Sequence, residues 1–158
     1  SDPVRSAPRP VAIPGPYRDE GQATPQATLQ NLAWALDNAD LERVKALVTF
    51  ESDAVRSKVS AVLQALPPES RAAWPTPEDL AASVMISDAI NRPYPAASIL
   101  QLPEVETLAP DCARLRLPGS RLDGGLYQRA GHGWRFAIRE SAIDAYIAQP
   151  SRANAAFR

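Results

Sequence analysis

The apolar positions between residues 23 and 48 recur at the spacing of two short amphipathic helices. Thr24 is suited to cap the first helix, and Pro25 fits its first turn because no N–H is needed there. Residues 37–40 break the pattern, and Asp40 is suited to cap the second helix. The apolar stripes are Leu29, Leu32, Ala33 and Leu36 on the first helix and Leu41, Val44, Leu47 and Val48 on the second. Helices this short cannot bury these stripes alone, so we expect them to pack on another surface.

The helical period continues to about residue 91. A third apolar stripe predicts a helix that begins near Ser52 and ends at Pro67 and Pro68. Trp74 then falls in a loop. Residues 76–79 combine a cap, a first-turn proline and two acids, which is typical of a helix start. We therefore predict a fourth helix that runs from there to about residue 91.

From residue 98 the apolar spacing changes to a period of two, which is typical of strands. The strand segments are residues 98–102 and 104–108 (one strand interrupted at Pro103, or two), 112–117, 126–129 and 134–139. The last two form a hairpin, and residues 140–148 return to the helical period. We predict an α+β fold in which N-terminal helices pack on a curved antiparallel sheet of about four strands, followed by a short C-terminal helix.

The proline content of the first residues predicts an extended segment before the domain. The 158 residues suit one domain, and five of the 16 prolines precede Tyr17. We predict a Pro-rich tether at residues 1–22, extended or disordered, a single domain at residues 23–149 and a loose tail at residues 150–158. Such a leader often spaces a domain from a membrane anchor, so we expect a periplasmic or membrane-anchored extracytoplasmic location; a terminus without a role is the alternative.

Charge and residue counts exclude several function classes. A net charge of −1 provides no field to gather nucleic acid or an anionic membrane, so we expect neither as a partner. The chain has one histidine, His132 between two glycines at the hairpin tip, and one cysteine, Cys112, which are too few for a typical zinc site. No phosphate-binding glycine loop or nucleophile elbow is present. We predict no metal and no cofactor.

Arginines alternate with apolar residues along two predicted strands. Arg114 and Arg116 lie opposite Ala113, Leu115 and Leu117, while Arg135 and Arg139 lie opposite Trp134, Phe136 and Ile138. With Arg129 from the preceding strand, the period of two gathers up to five guanidinium groups on one side of the sheet. An anion-binding or partner-binding surface is one interpretation. A solvated face paired with Glu104 and Glu106 is the other.

Aromatic residues near prolines suggest a cavity rim. Trp74 and Tyr94 occupy the loops that bracket the fourth helix, and Tyr127 lies in the late hairpin. Each of these three aromatic side chains either contacts a ligand or packs against neighbouring parts of the protein. The predicted ligand-binding set is Trp74, Tyr94, Tyr127, Arg114 and Arg116. No catalytic residue is predicted.

The order of elements and two local phrases resemble the nuclear-transport-factor-2-like superfamily of α+β cones, which has the cystatin-like fold. The phrases are the helix–acidic corner–helix of residues 29–48 and the hairpin of residues 126–138, with its glycine turn and its final strand led by Trp134. The resemblance covers roughly residues 23–138 and fits a bacterial subfamily of unknown function. The two helices between the corner and the first strand, and the helix after the last strand, depart from the family pattern.

The resemblance implies a curved sheet around the helices with a conical cavity between them. The superfamily includes isomerases, dehydratases, epoxide hydrolases and many members without catalysis. Its enzymes commonly pair Asp with Tyr, His or Arg, and no such set matches here residue by residue. Fold analogy alone does not supply a function.

Two functions follow from these observations. We predict a non-catalytic binding or interaction domain of unknown ligand, whose partners are a small molecule or a second copy docked through the sheet face. The alternative is a small-molecule isomerase, dehydratase or hydrolase that uses Asp88 or Asp111 near Tyr94 or Tyr127. A carboxylate deep in an apolar pocket, within hydrogen-bond distance of a tyrosine or arginine, would favour the enzyme.

Overall fold

The computed structural model describes residues 21–91, 103–116 and 123–148. Within these residues the helices are α1 (Pro25–Asp37), α2 (Leu41–Leu47), α3 (Asp53–Gln64), α4 (Pro68–Ala73), α5 (Pro77–Asn91) and α6 (Glu140–Ile147). The strands are β1 (Val48–Phe50), β2 (Glu104–Ala109), β3 (Cys112–Arg116), β4 (Asp123–Ala130) and β5 (Gly133–Ile138). The predicted α+β fold, with N-terminal helices packed on a sheet and a short C-terminal helix, is confirmed. The predictions for residues 1–20, for the strand segment 98–102 and for residues 149–158 lie outside the described residues.

The first three helices begin at side-chain caps that the sequence predicts. The Thr24 hydroxyl accepts a hydrogen bond from the N–H of Ala27 at 3.1 Å. Asp40 likewise accepts from Arg43 at 3.1 Å, and Ser52 accepts from Val55 at 3.3 Å. Each cap satisfies an N–H group that has no partner within its helix. The predicted starts of α1, α2 and α3 are therefore confirmed.

The sheet is open, with strand order β1-β5-β4-β3-β2. The β2–β3, β3–β4 and β4–β5 pairs are antiparallel, as predicted, but β1 pairs with β5 in parallel, so the sheet has five strands and is mixed. Val48, which the helical period assigned to the second helix, is the first residue of β1 and pairs with Phe136. The sequence does not predict β1 because its three residues are too few to show an alternating pattern and its parallel partner, β5, is distant in sequence. The four antiparallel strands β2–β5 match the prediction, and β1 adds a fifth, parallel strand that the sequence does not predict.

A further helix, α4, follows the two prolines that end α3. The sequence predicts a loop after Pro67, but Pro68 occupies the first turn of α4. Proline ends a helix that approaches it and also suits the first position of the next. Trp74 is the C-cap residue of α4, and its N–H donates to the carbonyl of Ser70 at 3.0 Å.

Two groups of buried side chains hold the helices to the sheet. The larger joins α1, α2, α3 and α5 to β1 and the end of β5, and includes Leu32, Leu36 and Val44. The smaller joins Leu29 and Ala33 of α1 to Leu115 of β3 and Tyr127 of β4. The apolar stripes of the early helices are thus covered by one another and by the later strands.

Candidate functional site

An apolar cleft of about 460 Å³ lies between α3, α5, β5 and α6. Its walls are the apolar side chains Val59 and Val62 of α3, Leu80, Ala81, Val84 and Met85 of α5, Phe136 and Ile138 of β5, and Ala142, Ile143 and Ile147 of α6. Val59 and Leu80 also belong to the large buried group, so the floor of the cleft is continuous with the core. We call this region the apolar cleft.

The helices that border the cleft carry apolar side chains that the core does not fully cover. On α3, Val59 is buried in the core while Val62, close to one turn further, is only half-buried and borders the cleft. On α5, Val84 and Met85 follow the buried residues Leu80–Ala82, are half-buried and also border the cleft. Side chains that are apolar but only half-buried can still gain from covering by another apolar surface.

The fourth wall, α6, is attached less firmly than the others. None of its side chains is fully buried, and Ile143 is the member that packs partly against the core. Lys58 of α3 donates to Glu140 at 2.9 Å and to Asp144 at 2.6 Å, and these hydrogen bonds raise the pKa of the lysine. All three side chains are well exposed, so the pairs stabilise the contact only weakly. The cleft therefore has three firm walls and one lightly held wall.

Two polar side chains on facing helices distinguish this cleft from an ordinary gap in packing. Asp88, on the last part of α5, is exposed at the rim. Tyr146, on α6, has a fully buried hydroxyl with no hydrogen-bond partner within the described part of the chain. Burial raises the pKa of Tyr146, and the negative charge of Asp88 raises it further. The hydroxyl is therefore a protonated donor in largely apolar surroundings.

A second, more open depression of about 550 Å³ lies beside β1 and the starts of α3 and α5. Three of its six charged side chains, Lys45, Arg56 and Glu78, belong to ion pairs. Lys45 lies 2.7 Å from the carboxylate of Asp79, and Arg56 lies 2.7 Å from that of Glu78. The Arg56 guanidinium lowers the pKa of Glu78 and has its own pKa raised in return. The lining carries three basic and three acidic side chains, so the depression has no excess of either charge with which to attract a charged ligand.

The predicted ligand-binding residues do not meet at either location. Trp74 is half-buried and packs against the large core group. Tyr127 is fully buried, and its hydroxyl donates to the carbonyl of Gly124 at 3.0 Å. Arg114 is half-buried and Arg116 exposed, and neither lines the apolar cleft or the ion-paired depression. Tyr94 lies outside the described residues. Ligand contact by these five residues stays a prediction.

Three of the five arginines share one sheet face. Paired strand residues lie on the same side of a sheet, so Arg129, which pairs with Trp134, lies on the face opposite Arg135, which pairs with Gln128. Arg139 follows β5 and borders the apolar cleft instead. The strand registers leave Arg114, Arg116 and Arg135 together. The prediction of five guanidinium groups on one side is corrected to three.

On this face Arg116 has the partner that the salt-bridged interpretation requires. Its guanidinium lies 2.8 Å from Glu106, and the register places Glu104 opposite Arg116 and Glu106 opposite Arg114. Arg114 differs, since its Nε is buried without a hydrogen-bond partner in the described residues.

Replacing Arg116 with Ser is expected to change the free energy of unfolding by less than about 1 kcal/mol. Both members of the Arg116–Glu106 pair are substantially exposed, and exposed pairs contribute little. Chemical denaturation of the variant and of Glu106→Gln measures this. A loss of several kcal/mol in either variant would mean that the pair is structural.

Tyr146 and Ile143 show what sequence reasoning missed. Both lie with Ile147 on the side of α6 that borders the cleft, and the helical period of residues 140–148 does not mark any one of them as a site residue. A hydroxyl within an otherwise apolar helical stripe was the available signal. Asp88 is predicted only as an acid for the enzyme alternative, with Tyr94 or Tyr127 as its neighbour, whereas in the structure it borders the same cleft as Tyr146.

Among the described residues, no group of three or more His, Cys, Asp or Glu side chains is placed to hold a metal ion. Within the same part of the chain, no helix combines the length and the apolar character needed to cross a bilayer.

Comparisons of the chain with protein-family models, with curated proteins and with solved structures find no match. The resemblance to the nuclear-transport-factor-2-like superfamily, and the extracytoplasmic location inferred from the Pro-rich segment, stay predictions.

Proposed function

We propose that this domain binds a small apolar molecule in the apolar cleft and does not transform it. The observation that carries the proposal is a cleft of about 460 Å³ bounded by three helices and a strand, which falls in the size range of small-molecule sites. Predominantly apolar walls with a few polar groups are the usual composition of such sites. Because the walls Val62, Val84 and Ile143 are half-buried, a bound apolar molecule removes further apolar surface from water.

The arrangement of Asp88 and Tyr146 supports binding rather than catalysis. The enzyme alternative calls for a carboxylate deep in an apolar pocket and within hydrogen-bond distance of a tyrosine or arginine. Asp88 is exposed at the rim, and the Tyr146 hydroxyl forms no hydrogen bond with it. Asp88 therefore lacks the deep position in the cleft that the enzyme alternative requires.

A substitution that fills the cleft is expected to abolish binding. Ala142 borders the cleft from α6 and is itself exposed, so Ala142→Trp places an indole into the cleft without overpacking the core. Two probes, acetophenone and ethylbenzene, are titrated into the full chain by NMR. We expect at least tenfold weaker binding of both probes to the variant.

Ser141→Trp is the matched control, since Ser141 is the exposed neighbour of Ala142 on the same helix and does not border the cleft. Its affinities are expected to stay within about twofold of the wild type, and melting curves confirm that both variants fold. Equal binding by the wild type and Ala142→Trp, or no binding of either probe by the wild type, contradicts the proposal.

A further inference from the structure

The apolar cleft offers a bound molecule very little hydrogen bonding. Among the described residues that line it, three carry polar side chains: Asp88, Arg139 and Tyr146. The Tyr146 hydroxyl is covered by protein and out of reach from the cleft, while Asp88 and Arg139 already interact with other groups. The backbone groups of the walls are largely taken up within the helices and by the pairing of β5 with a strand on each side. A polar group on the buried part of a ligand would therefore lose its contacts with water without gaining a partner.

The lining side chains follow the axes of two helices. On α5 they extend from Leu80 to Asp88, and on α6 with its N-cap residue they extend from Arg139 to Ile147. Each range covers eight residue steps, which is about 12 Å at a rise of about 1.5 Å per residue. Within each range the lining residues recur three or four positions apart, so they share one side of their helix. Each of these two walls therefore presents a strip about 12 Å long.

The size of the cleft calls for more than a single ring. Its volume of about 460 Å³ is about three times that of an apolar cavity of roughly 150 Å³, which is enough to hold benzene. An extended alkyl chain advances about 1.3 Å for each C–C bond of about 1.5 Å, so about ten carbons span 12 Å. Ile147 is half exposed, so the cleft opens to water along α6. A polar group at one end of such a chain can thus remain in water.

We infer that the ligand is an amphiphile with one unbranched alkyl chain, that about ten carbons of the chain lie along α5 and α6, and that the polar group stays outside the cleft. This inference rests on the proposed function and adds the chemical class of the ligand. The cleft selects the ligand by the length of its chain, because its walls supply hydrocarbon contacts along their length and no accessible hydrogen-bonding group between the ends.

A series of neutral alcohols measures the length of chain that the cleft accepts. The probes are 1-hexanol, 1-octanol, 1-decanol and 1-dodecanol, titrated into the full chain by NMR below their solubility limits. The affinity is expected to rise about threefold for each added methylene up to 1-decanol, because each methylene leaves water for an apolar wall. From 1-decanol to 1-dodecanol the expected gain is less than about twofold, because the added carbons extend beyond the cleft.

A substitution that shortens the cleft tests where the chain lies. Ala145 borders the cleft near the end of α6 and is exposed, so Ala145→Phe places a ring across the strip without disturbing the core. The remaining six residue steps from Arg139 span about 9 Å, which accommodates about seven carbons. The preference for 1-decanol over 1-hexanol, about 80-fold in the wild type, is expected to fall below about tenfold in this variant.

Ala148→Phe is the matched control, since Ala148 is an exposed residue at the end of the same helix and does not border the cleft. Its preference for 1-decanol over 1-hexanol is expected to stay within about twofold of the wild type. Melting curves confirm that both variants fold.

The outcomes separate this inference from the function on which it rests. An affinity that stops rising at 1-hexanol, that keeps rising threefold per methylene through 1-dodecanol, or that keeps its chain preference in Ala145→Phe shows that the ligand class is wrong. The same conclusion follows if ethylbenzene binds and no alcohol does. In these cases, ethylbenzene binding that is sensitive to Ala142→Trp leaves the proposed function standing. Failure of the alcohols, acetophenone and ethylbenzene alike to bind the wild type overturns both.

Discussion

Replacing Tyr127 with Ala is expected to lower the free energy of unfolding by about 4 kcal/mol, the cost typical of removing a large buried aromatic side chain. Tyr127 is fully buried and packs against Leu29 and Ala33 of α1 and Leu115 of β3. Its ring also meets Phe136 edge to face, with centroids 5.7 Å apart. The side chain thus joins the sheet to the first helix, and its removal leaves a cavity at the contact on which the fold depends.

Tyr127→Phe is the control, because it keeps the ring and removes the hydroxyl that donates to the carbonyl of Gly124. Its expected cost is about 1 kcal/mol. Urea-induced unfolding followed by circular dichroism measures both variants. A loss below about 1 kcal/mol in Tyr127→Ala would mean that the sheet and α1 do not share a core.

Replacing Asp79 with Asn is expected to lower the free energy of unfolding by about 3 kcal/mol. Its buried carboxylate accepts hydrogen bonds from Lys45 at 2.7 Å and from the hydroxyl and N–H of Thr76 at 2.6 and 3.1 Å. The Asp79 N–H in turn donates to the Thr76 hydroxyl at 3.2 Å, which completes a reciprocal cap at the start of α5. Removing the charge leaves Lys45, itself largely covered, without its main partner.

Glu42→Gln is the matched control, since Glu42 pairs with the same lysine at 3.0 Å but is mostly exposed. Its expected effect is within about 0.5 kcal/mol. Equal losses in the two variants would contradict the assignment of Asp79 as the buried partner.

The same carboxylate predicts part of the acid sensitivity of the domain. Burial acts to raise the pKa of Asp79, but the hydrogen bonds from Lys45 and Thr76 outweigh it, so the net shift is downward. A lowered pKa in the folded state contributes stability above the ordinary aspartate pKa of about 3.9, and this contribution is lost as the pH falls through the folded pKa. The difference in unfolding free energy between the wild type and Asp79→Asn should therefore shrink below about pH 4. A constant difference across that range would contradict this origin.

The parts of the fold that the sequence predicted are those set by local chemistry. Caps at Thr24, Asp40 and Ser52 act within three residues, and the hairpin between β4 and β5 turns at Gly131 and His132. Such features need no knowledge of the rest of the chain. The sequence does not predict β1, because β1 is defined by its pairing with β5. That partner is remote in sequence, and the paired stretch is too short to show an alternating pattern.

The candidate site was harder to predict because no single segment contains it. Its walls come from α3, α5, β5 and α6, and each helix shows only an apolar stripe that is equally suited to complete burial. Tyr127 illustrates the same difficulty, since an aromatic residue on the apolar face of a strand lines a cavity or fills a core according to what packs above it. Here α1 packs above it.

The most direct test of binding in the apolar cleft is an NMR experiment on the methyl-labelled full chain with acetophenone. We expect intermolecular contacts between the acetophenone ring and the methyl groups of Val62, Val84 and Ile143. Val105 and Leu108, exposed apolar residues on β2, are internal controls for non-specific association. Contacts to the controls but not to the cleft methyl groups, or no contacts at saturating acetophenone, would contradict it.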